Sequence, residues 1–394
     1  MRILFMPSSF IPVIGGVQTV VYDLAEYFFS KDHQVKVITN RYPRNLPEAE
    51  NIEGIDIKRW LFLKPGIKHL RNRRIDIFLA SIYFYPRTLA SLAKEIREFK
   101  PEVVNVHYPD IQTAFVLKIL NKAKFRLIVS LHGYDIERWF NTDPRFNLKV
   151  NTDKERMAYP DFVLLKEILE KADAVTACSK YLLSKTTELF PKIKEKGYVA
   201  YNGINPDQFN NSEIFKQNSD YILAYGRLSY QKGFDILLEA FSRLANKALG
   251  LKLLIIGEGE ERENLEKKTI ELRLEQRVRF IGPVSYKDLA KYIKGSKFVV
   301  IPSRWEPFGL VALESFACAR TVIATTSGGI QEIVRDGQNG LVVEKENPFS
   351  LSKAISKLIE EEQLRAALEI NSLKTIAQFT KESMCGFYQE LFRP

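Results

Sequence analysis

The 394-residue chain predicts an α/β protein of two Rossmann-like domains, each a parallel sheet covered by helices on both faces. Two observations carry this expectation. Short runs rich in Val, Ile and Leu alternate with helical patterns from one end to the other, as strands buried on both faces require. The runs fall into two sets, and a chain of this length can bury two full cores.

In the first set, Arg2–Met6 is expected as a strand because Met1-Arg2-Ile3-Leu4-Phe5-Met6 is one apolar run stopped by Pro7. It lacks the separate basic stretch and small-residue cleavage site of a signal peptide. Gln34–Thr39, Glu102–His107, Arg126–Leu131, Asp173–Ala177 and Tyr198–Tyr201 complete the set. The second set is Tyr221–Tyr225, Lys252–Ile256, Arg277–Ile281, Phe298–Pro302, Thr321–Ala324 and Gly340–Val343. Between them, Asn202-Gly203-Ile204-Asn205-Pro206 is a turn signal, and Asn210-Asn211-Ser212 continues the polar stretch. Domains are therefore expected at 1–205 and 206–375, with 376–394 as a terminal segment. Ligands of open α/β sheets bind beyond the carboxyl ends of the strands, so the two sheets are expected to face one another across a ligand-binding cleft. Tyr134 to Asp161 interrupts the alternation with Trp139, Phe140, Phe146 and Tyr159, which fits a lid or an acceptor-binding segment and equally a packed local excursion.

Composition excludes several classes. Hydrophobic residues at 45% and charged residues at 27% are ordinary for a globular protein, and no apolar run approaches the length of a membrane span. Cys178, Cys318 and Cys385 are odd in number and far apart, which argues for a reducing, cytoplasmic setting over a disulfide framework. Four isolated histidines without cysteine pairs give no metal-ligand spacing, so no metal is expected. The net charge of +10 is concentrated in the N-terminal half. From Lys58 to Arg74 there are seven basic residues and no acidic one, interleaved with Trp60, Leu61, Phe62 and Leu63. This stretch suits an anionic membrane or phosphorylated acceptor, and equally a solvated loop. No nucleic-acid motif accompanies the charge, so nucleic acid is not expected as a partner.

The densest chemistry lies in Glu306-Pro307-Phe308-Gly309-Leu310-Val311-Ala312-Leu313-Glu314. Glu306 is expected in a strand-to-helix loop and Glu314 in an early helical turn. Pro307 and Gly309 shape that loop where the first helical N–H groups lack intrahelical acceptors. Two carboxylates beside free donors suit a ligand rich in hydroxyls and phosphates. Four junctions share a glycine device: Gly15-Gly16, Gly226 to Gly233, Gly257-Glu258-Gly259 and Ser327-Gly328-Gly329. Each could bring backbone N–H groups to an anion or simply form a tight turn. At the second junction, Arg227 and Lys232 flank the turn that opens the helix Phe234 to Phe241, so two cations and a helix N-terminus can meet one diphosphate. No Asp-x-Asp occurs to hold a metal there. Gly-x-Gly-x-x-Gly, the P-loop and Gly-x-Ser-x-Gly are also absent, the last weakening a hydrolase assignment. His132, beyond the strand Arg126–Leu131, is expected at a carboxyl end.

Taken in order, Gly15-Gly16, Gly226-Arg227-Leu228 with Lys232-Gly233, and the Glu-x7-Glu pair give a chain that resembles the retaining GT-B glycosyltransferases of family four over nearly its whole length. The resemblance implies transfer of a hexose from a nucleotide diphosphate sugar, UDP- or GDP-linked, to a glycan, lipid or small-molecule acceptor, with retention and without a metal or other cofactor. It implies that 1–205 binds acceptor, that 206–375 binds donor, and that the last helix, Thr380 to Phe392, crosses back to the first domain. It assigns Glu314 to ribose hydroxyls, Glu306 to donor-sugar hydroxyls, and the N–H groups of Phe308, Gly309 and Leu310 to sugar or phosphate. Arg227 and Lys232 would neutralise the diphosphate, Gly16 would let backbone approach it, Gly282 would contact the base through main chain, and His132 would contact the donor sugar. A sugar-nucleotide epimerase or phosphorylase on the same architecture, and a non-catalytic nucleotide-sugar binder, are the alternatives.

Overall fold

The structure, a computed structural model, describes residues 1–13, 15–65, 74–110, 112–140, 160–210, 214–215, 220–244 and 250–393. It divides into two compact units: Met1–Cys178, Leu182–Ala200 and Cys385–Pro394 form the first, Ser179–Tyr181 and Tyr201–Met384 the second. Lys68, Arg71 and Arg73 of the basic stretch, Phe146 and Tyr159 of the aromatic-rich stretch, and Asn211 and Ser212 of the boundary lie outside the described residues.

Among the described residues, the first unit is built on eight strands: β1 (Arg2–Pro7), β2 (Gln34–Asn40), β3 (Ala49–Ile52), β4 (Ile55–Trp60), β5 (Val103–His107), β6 (Arg126–Leu131), β7 (Ala174–Ala177) and β8 (Gly197–Val199). They lie in the order β3-β4-β2-β1-β5-β6-β7-β8. All neighbours are parallel except β3 and β4, which pair antiparallel with Ile52 opposite Ile55. In the second unit, β9 (Tyr221–Tyr225), β10 (Lys252–Ile256), β11 (Val278–Ile281), β12 (Val299–Ile301), β13 (Val322–Thr325) and β14 (Gly340–Val343) form a wholly parallel sheet, ordered β11-β10-β9-β12-β13-β14. Ile222, Leu253, Ile255, Phe298 and Ile323 are fully buried on its strands and their flanks, under helices that include Phe234–Ser242 and Pro348–Glu360. Every strand expected from the apolar runs is present, with ends shifted by a residue or two.

The hairpin β3–β4 is the element the apolar runs do not announce. β3 reads Ala-Glu-Asn-Ile and is half exposed, so it carries neither the apolar run nor the clean alternation of a strand. Its two-residue loop, Glu53-Gly54, has φ of 51° and 87°, the both-positive geometry of a type I′ turn. That geometry favours Asn-Gly, so Glu-Gly gives a weak signal.

The hairpin also changes the basic stretch. Lys58 and Arg59 are β4 residues with partners inside the fold. Lys58 and Lys36 both pair with the buried Glu95. Arg59, only 1% exposed, pairs with Glu50 and donates to the Ile11 carbonyl at 2.6 Å. Lys64 is half buried, and Arg74 is exposed and paired with Asp76 at 3.1 Å. The uninterrupted cationic surface expected from Lys58 onward therefore begins no earlier than Lys64.

Residues from Cys385 onward, most of the helix Lys381–Phe392, pack in the first unit. Phe392 stacks on Phe28 at 5.0 Å, and the Tyr388 hydroxyl lies 3.0 Å from both Ser130 Oγ and Thr176 Oγ1. No helix among the described residues is long and apolar enough to cross a membrane. Cys178, Cys318 and Cys385 are buried thiols.

Candidate functional site

The second unit gathers the glutamates, Arg227 and Lys232 around the carboxyl ends of β9 and β12. β12 leads into Pro302 to Gly309, and the helix Leu310–Ala317 follows, with Gly309 as its cap at φ 113°. Glu306 is fixed by backbone before its side chain is considered: its N–H donates to the Ser327 carbonyl at 2.6 Å and its own carbonyl accepts from Gly329 N–H at 2.9 Å. Ser179 Oγ adds a bond to the Pro307 carbonyl at 2.7 Å. So Ser327-Gly328-Gly329 is first of all a support for Glu306. The buried Glu306 carboxylate accepts from Lys232 Nζ at 2.6 Å and lies 3.4 Å from Ser303 Oγ.

Lys232 reaches Glu306 because its own turn is clamped to the same loop. Tyr230–Lys232 is a single 3-10 turn ended by Gly233 at φ 66°, where an added Cβ would sit 2.1 Å from the Pro302 carbonyl. Only glycine fits that contact. Arg304 completes the clamp. It forks onto both Asp235 oxygens at 2.7 Å, donates to the Tyr230 carbonyl at 2.8 Å and reaches Glu346 at 3.0 Å. Its backbone N–H meets the Gln231 carbonyl at 2.8 Å, and Gln231 Nε2 returns a bond to the Trp305 carbonyl at 3.1 Å. Burial opposes ionisation of Asp235, and the Arg304 fork more than offsets it, holding that carboxyl below its ordinary range.

Glu314 is buried in the helix Leu310–Ala317 with one tyrosine on each oxygen: Tyr225 donates at 2.8 Å and Tyr286 at 3.0 Å. Burial pushes its carboxyl up to about 7 despite those two hydrogen bonds and the nearby Lys232 charge. Each oxygen keeps a second lone pair for another donor. Among the described residues, no backbone acceptor takes the N–H of Phe308, Gly309 or Leu310, and Arg227, which is exposed, forms no ion pair. The Phe308 ring is buried at 6.0 Å from both Tyr201 and Phe379, so this residue offers backbone and not side chain. Gly282, just beyond β11, is half buried.

A second junction also departs from the shared glycine device. A Cβ on Gly257, at φ 134°, would meet the Gly226 carbonyl at 2.0 Å, and Leu228 N–H bonds the Glu258 carbonyl at 2.9 Å. The loops after β9 and β10 thus pack backbone on backbone, and Gly257 is required by that contact whether or not an anion is present.

Gly16 and His132 belong to the first unit. Gly16 is exposed as the first residue of the helix Gly16–Ser30. His132 follows β6 and is half buried, its backbone N–H and that of Gly133 both received by the Asp135 carboxylate at 3.1 and 2.7 Å. Its Nε2 lies 3.0 Å from Nδ1 of His107, the last residue of β5. Arg304, Tyr225, Tyr286, His107 and Asp135 are among the partners not singled out in the sequence. One signal was available for His107, which ends a strand as His132 follows one.

Two sheets of this order, with a charged strand-to-helix loop in the second unit, define the GT-B class of glycosyltransferases. Residues 14–208 match the family described as Glycosyltransferase Family 4 and residues 206–375 match Glycosyl transferases group 1. An uncharacterised glycosyltransferase of Methanocaldococcus jannaschii is 30% identical over 381 residues, spanning 96% of this chain and 94% of that one. N-acetyl-alpha-D-glucosaminyl L-malate synthase of Bacillus anthracis is 23% identical across 97% of this chain and 94% of its own length. Among solved structures, sucrose-phosphate synthase from Thermosynechococcus elongatus superposes with a TM-score of 0.80 at 20% identity, covering 100% of this chain and 98% of that one. Anabaena HepE in complex with UDP-glucose gives 0.73 at 19% identity, covering 99% and 98%. The chain belongs to glycosyltransferase family four.

Proposed function

We propose that this glycosyltransferase moves a hexose from a UDP- or GDP-sugar to an acceptor hydroxyl, on a lipid-linked or polysaccharide substrate, with retention and without a metal. The observation that carries the proposal is the Lys232–Glu306 pair at 2.6 Å, set beside the open N–H groups of Phe308 to Leu310 and the uncommitted Arg227. A diphosphate needs cations and N–H donors, and a hexose needs an acceptor such as Glu306. The ribose falls to Glu314, the base to main chain near Gly282, and backbone approach to the diphosphate to Gly16. In this scheme the acceptor oxygen attacks the anomeric carbon on the face the diphosphate leaves. The carbon–oxygen bond to phosphate breaks and the acceptor proton passes to a phosphate oxygen. Glu306 is a poor nucleophile while ion-paired with Lys232, so a glycosyl adduct trapped on it would overturn the displacement.

A calorimetric panel of UDP-, GDP- and ADP-sugars, run with chelator, tests the donor. One of them should bind, and nucleotide diphosphate should be released only when an acceptor alcohol is added. Release without acceptor would favour hydrolysis or epimerisation chemistry. Ribose hydroxyls donating to Glu314 stabilise its ionised form, whose carboxyl sits at about 7, so donor binding should expel a proton. Affinity should then strengthen as pH rises through neutrality; constant affinity between about pH 6 and 8 would remove Glu314 from the site.

We also propose peripheral contact with an anionic membrane, centred on the start of the helix Ile75–Phe99 rather than on the whole stretch Lys58–Arg74. Ile75, Leu79, Ile82 and Tyr83, each more than half exposed, share one helix face beside Arg74 and Arg87. Vesicles containing anionic phospholipid should co-sediment the protein, and Leu79→Glu with Ile82→Glu should weaken this about tenfold. Equal sedimentation of the double variant would exclude this face.

A further inference from the structure

Two fully buried polar side chains on β5, Asn105 and His107, take no part in the chemistry assigned above. Polar groups in such a strand need partners, and theirs form a directed chain. Asn105 Nδ2 lies 3.2 Å from the Ile128 carbonyl on β6. A carbonyl only accepts, so this contact fixes which end of the amide is nitrogen. The second Nδ2 hydrogen goes to Ser130 Oγ at 3.0 Å, within the cluster of Ser130, Thr176 and Tyr388. Asn105 Oδ1 must then accept, and what it faces at 2.7 Å is His107 Nε2. His107 therefore carries its proton on Nε2. Burial and the neighbouring His132 hold it well below the ordinary imidazole value, so it is neutral and its Nδ1 is a bare lone pair. That lone pair, 3.0 Å from His132 Nε2, accepts the proton His132 carries there. Burial pushes His132 down to about 4, so it too is neutral. No other described group engages its Nδ1.

We propose that Asn105 and His107 are positioning residues that lock His132 as the Nε2–H tautomer, so that Nδ1 presents a hydrogen-bond acceptor to a hydroxyl of the donor sugar. This rests on the reading, implied by the family resemblance, that His132 contacts the donor sugar. The consequence is specific: His132 receives a hydroxyl proton in a hydrogen bond and supplies no positive charge to the diphosphate. The wrong tautomer would present N–H to the same hydroxyl, which could still donate elsewhere but would lose its oriented acceptor.

The test reads the tautomer directly. With four histidines in the chain, ¹⁵N-histidine labelling gives a short list of long-range ¹H–¹⁵N correlations. In the wild-type protein at neutral pH, His132 should show a protonated Nε2 and an unprotonated Nδ1; the opposite pattern overturns the proposal without any variant. His107→Phe removes the acceptor and should shift His132 toward the other tautomer while transfer falls about tenfold or more. His107→Gln, whose Oε1 can accept from His132 and whose Nε2 can donate to Asn105, should restore both. A folded His107→Phe protein with an unchanged His132 tautomer overturns the relay. A shifted tautomer with unchanged transfer leaves the relay standing and removes His132 from the donor sugar.

Discussion

Replacing Glu306 with alanine should lower transfer by about 10²- to 10³-fold, the usual cost of removing one preorganised polar group from a reacting centre. The loss should not come from unfolding. Glu306 is placed by its own backbone, through Ser327 and Gly329, and those bonds survive truncation of the side chain. Lys232→Ala should cost a similar factor in transfer and, in addition, stability. It leaves the 6%-exposed Glu306 carboxylate without its cation, whereas Glu306→Ala leaves Lys232, about a fifth exposed, free to reach water. Thermal melts should therefore separate the two variants while their kinetics resemble each other. The double variant should lose less than the two single losses combined, because each removes one end of a contact of 2.6 Å. Transfer at the wild-type rate in both single variants would place the chemistry elsewhere.

That pair shows what a sequence can and cannot disclose. Glu306 and Lys232 were each legible from the local pattern, one as a carboxylate in a strand-to-helix loop and the other as a cation before a helix. Their contact was not, because 74 residues separate them and only the order β9-β12 brings the loops together. Glu314 repeats the lesson. Tyr225 closes a fully buried apolar strand and reads as core, and nothing in Tyr-Ile-Leu-Ala-Tyr reveals that its hydroxyl faces a carboxylate 89 residues away. Apolar runs report burial, which is why twelve strands could be placed by composition alone. They do not report which polar groups burial brings together. Where a strand is marginal and half exposed, as in β3, even its existence escapes, and with it the reason Arg59 is buried.

Arg304→Ala should be the most destabilising change to the site's scaffold. The guanidinium is 9% exposed and Asp235 32%, and the fork between them is what ties the Lys232 turn to the Glu306 loop. Removing one partner of a buried ion pair costs about 3 kcal/mol at the lower end, and the partial exposure of Asp235 argues for that end. Hydrogen exchange should show it locally, as faster exchange at Tyr230 to Phe241 and Arg304 to Ala317 with the first unit unaffected. The pH dependence has a defined sign. Arg304 holds the Asp235 carboxyl below its ordinary 3.8, so the stability it contributes is present above that pH and is lost as pH falls through the lower folded value. The gap between wild type and Arg304→Ala should accordingly narrow below pH 3.8. Arg304→Lys, which keeps charge but cannot fork, should recover less than half of the loss, and donor KM should worsen in both variants as Lys232 loses its seat. Equal protection of the two segments in Arg304→Ala and wild type would show that the Gln231 bonds and the Lys232–Glu306 pair hold the turn without the fork.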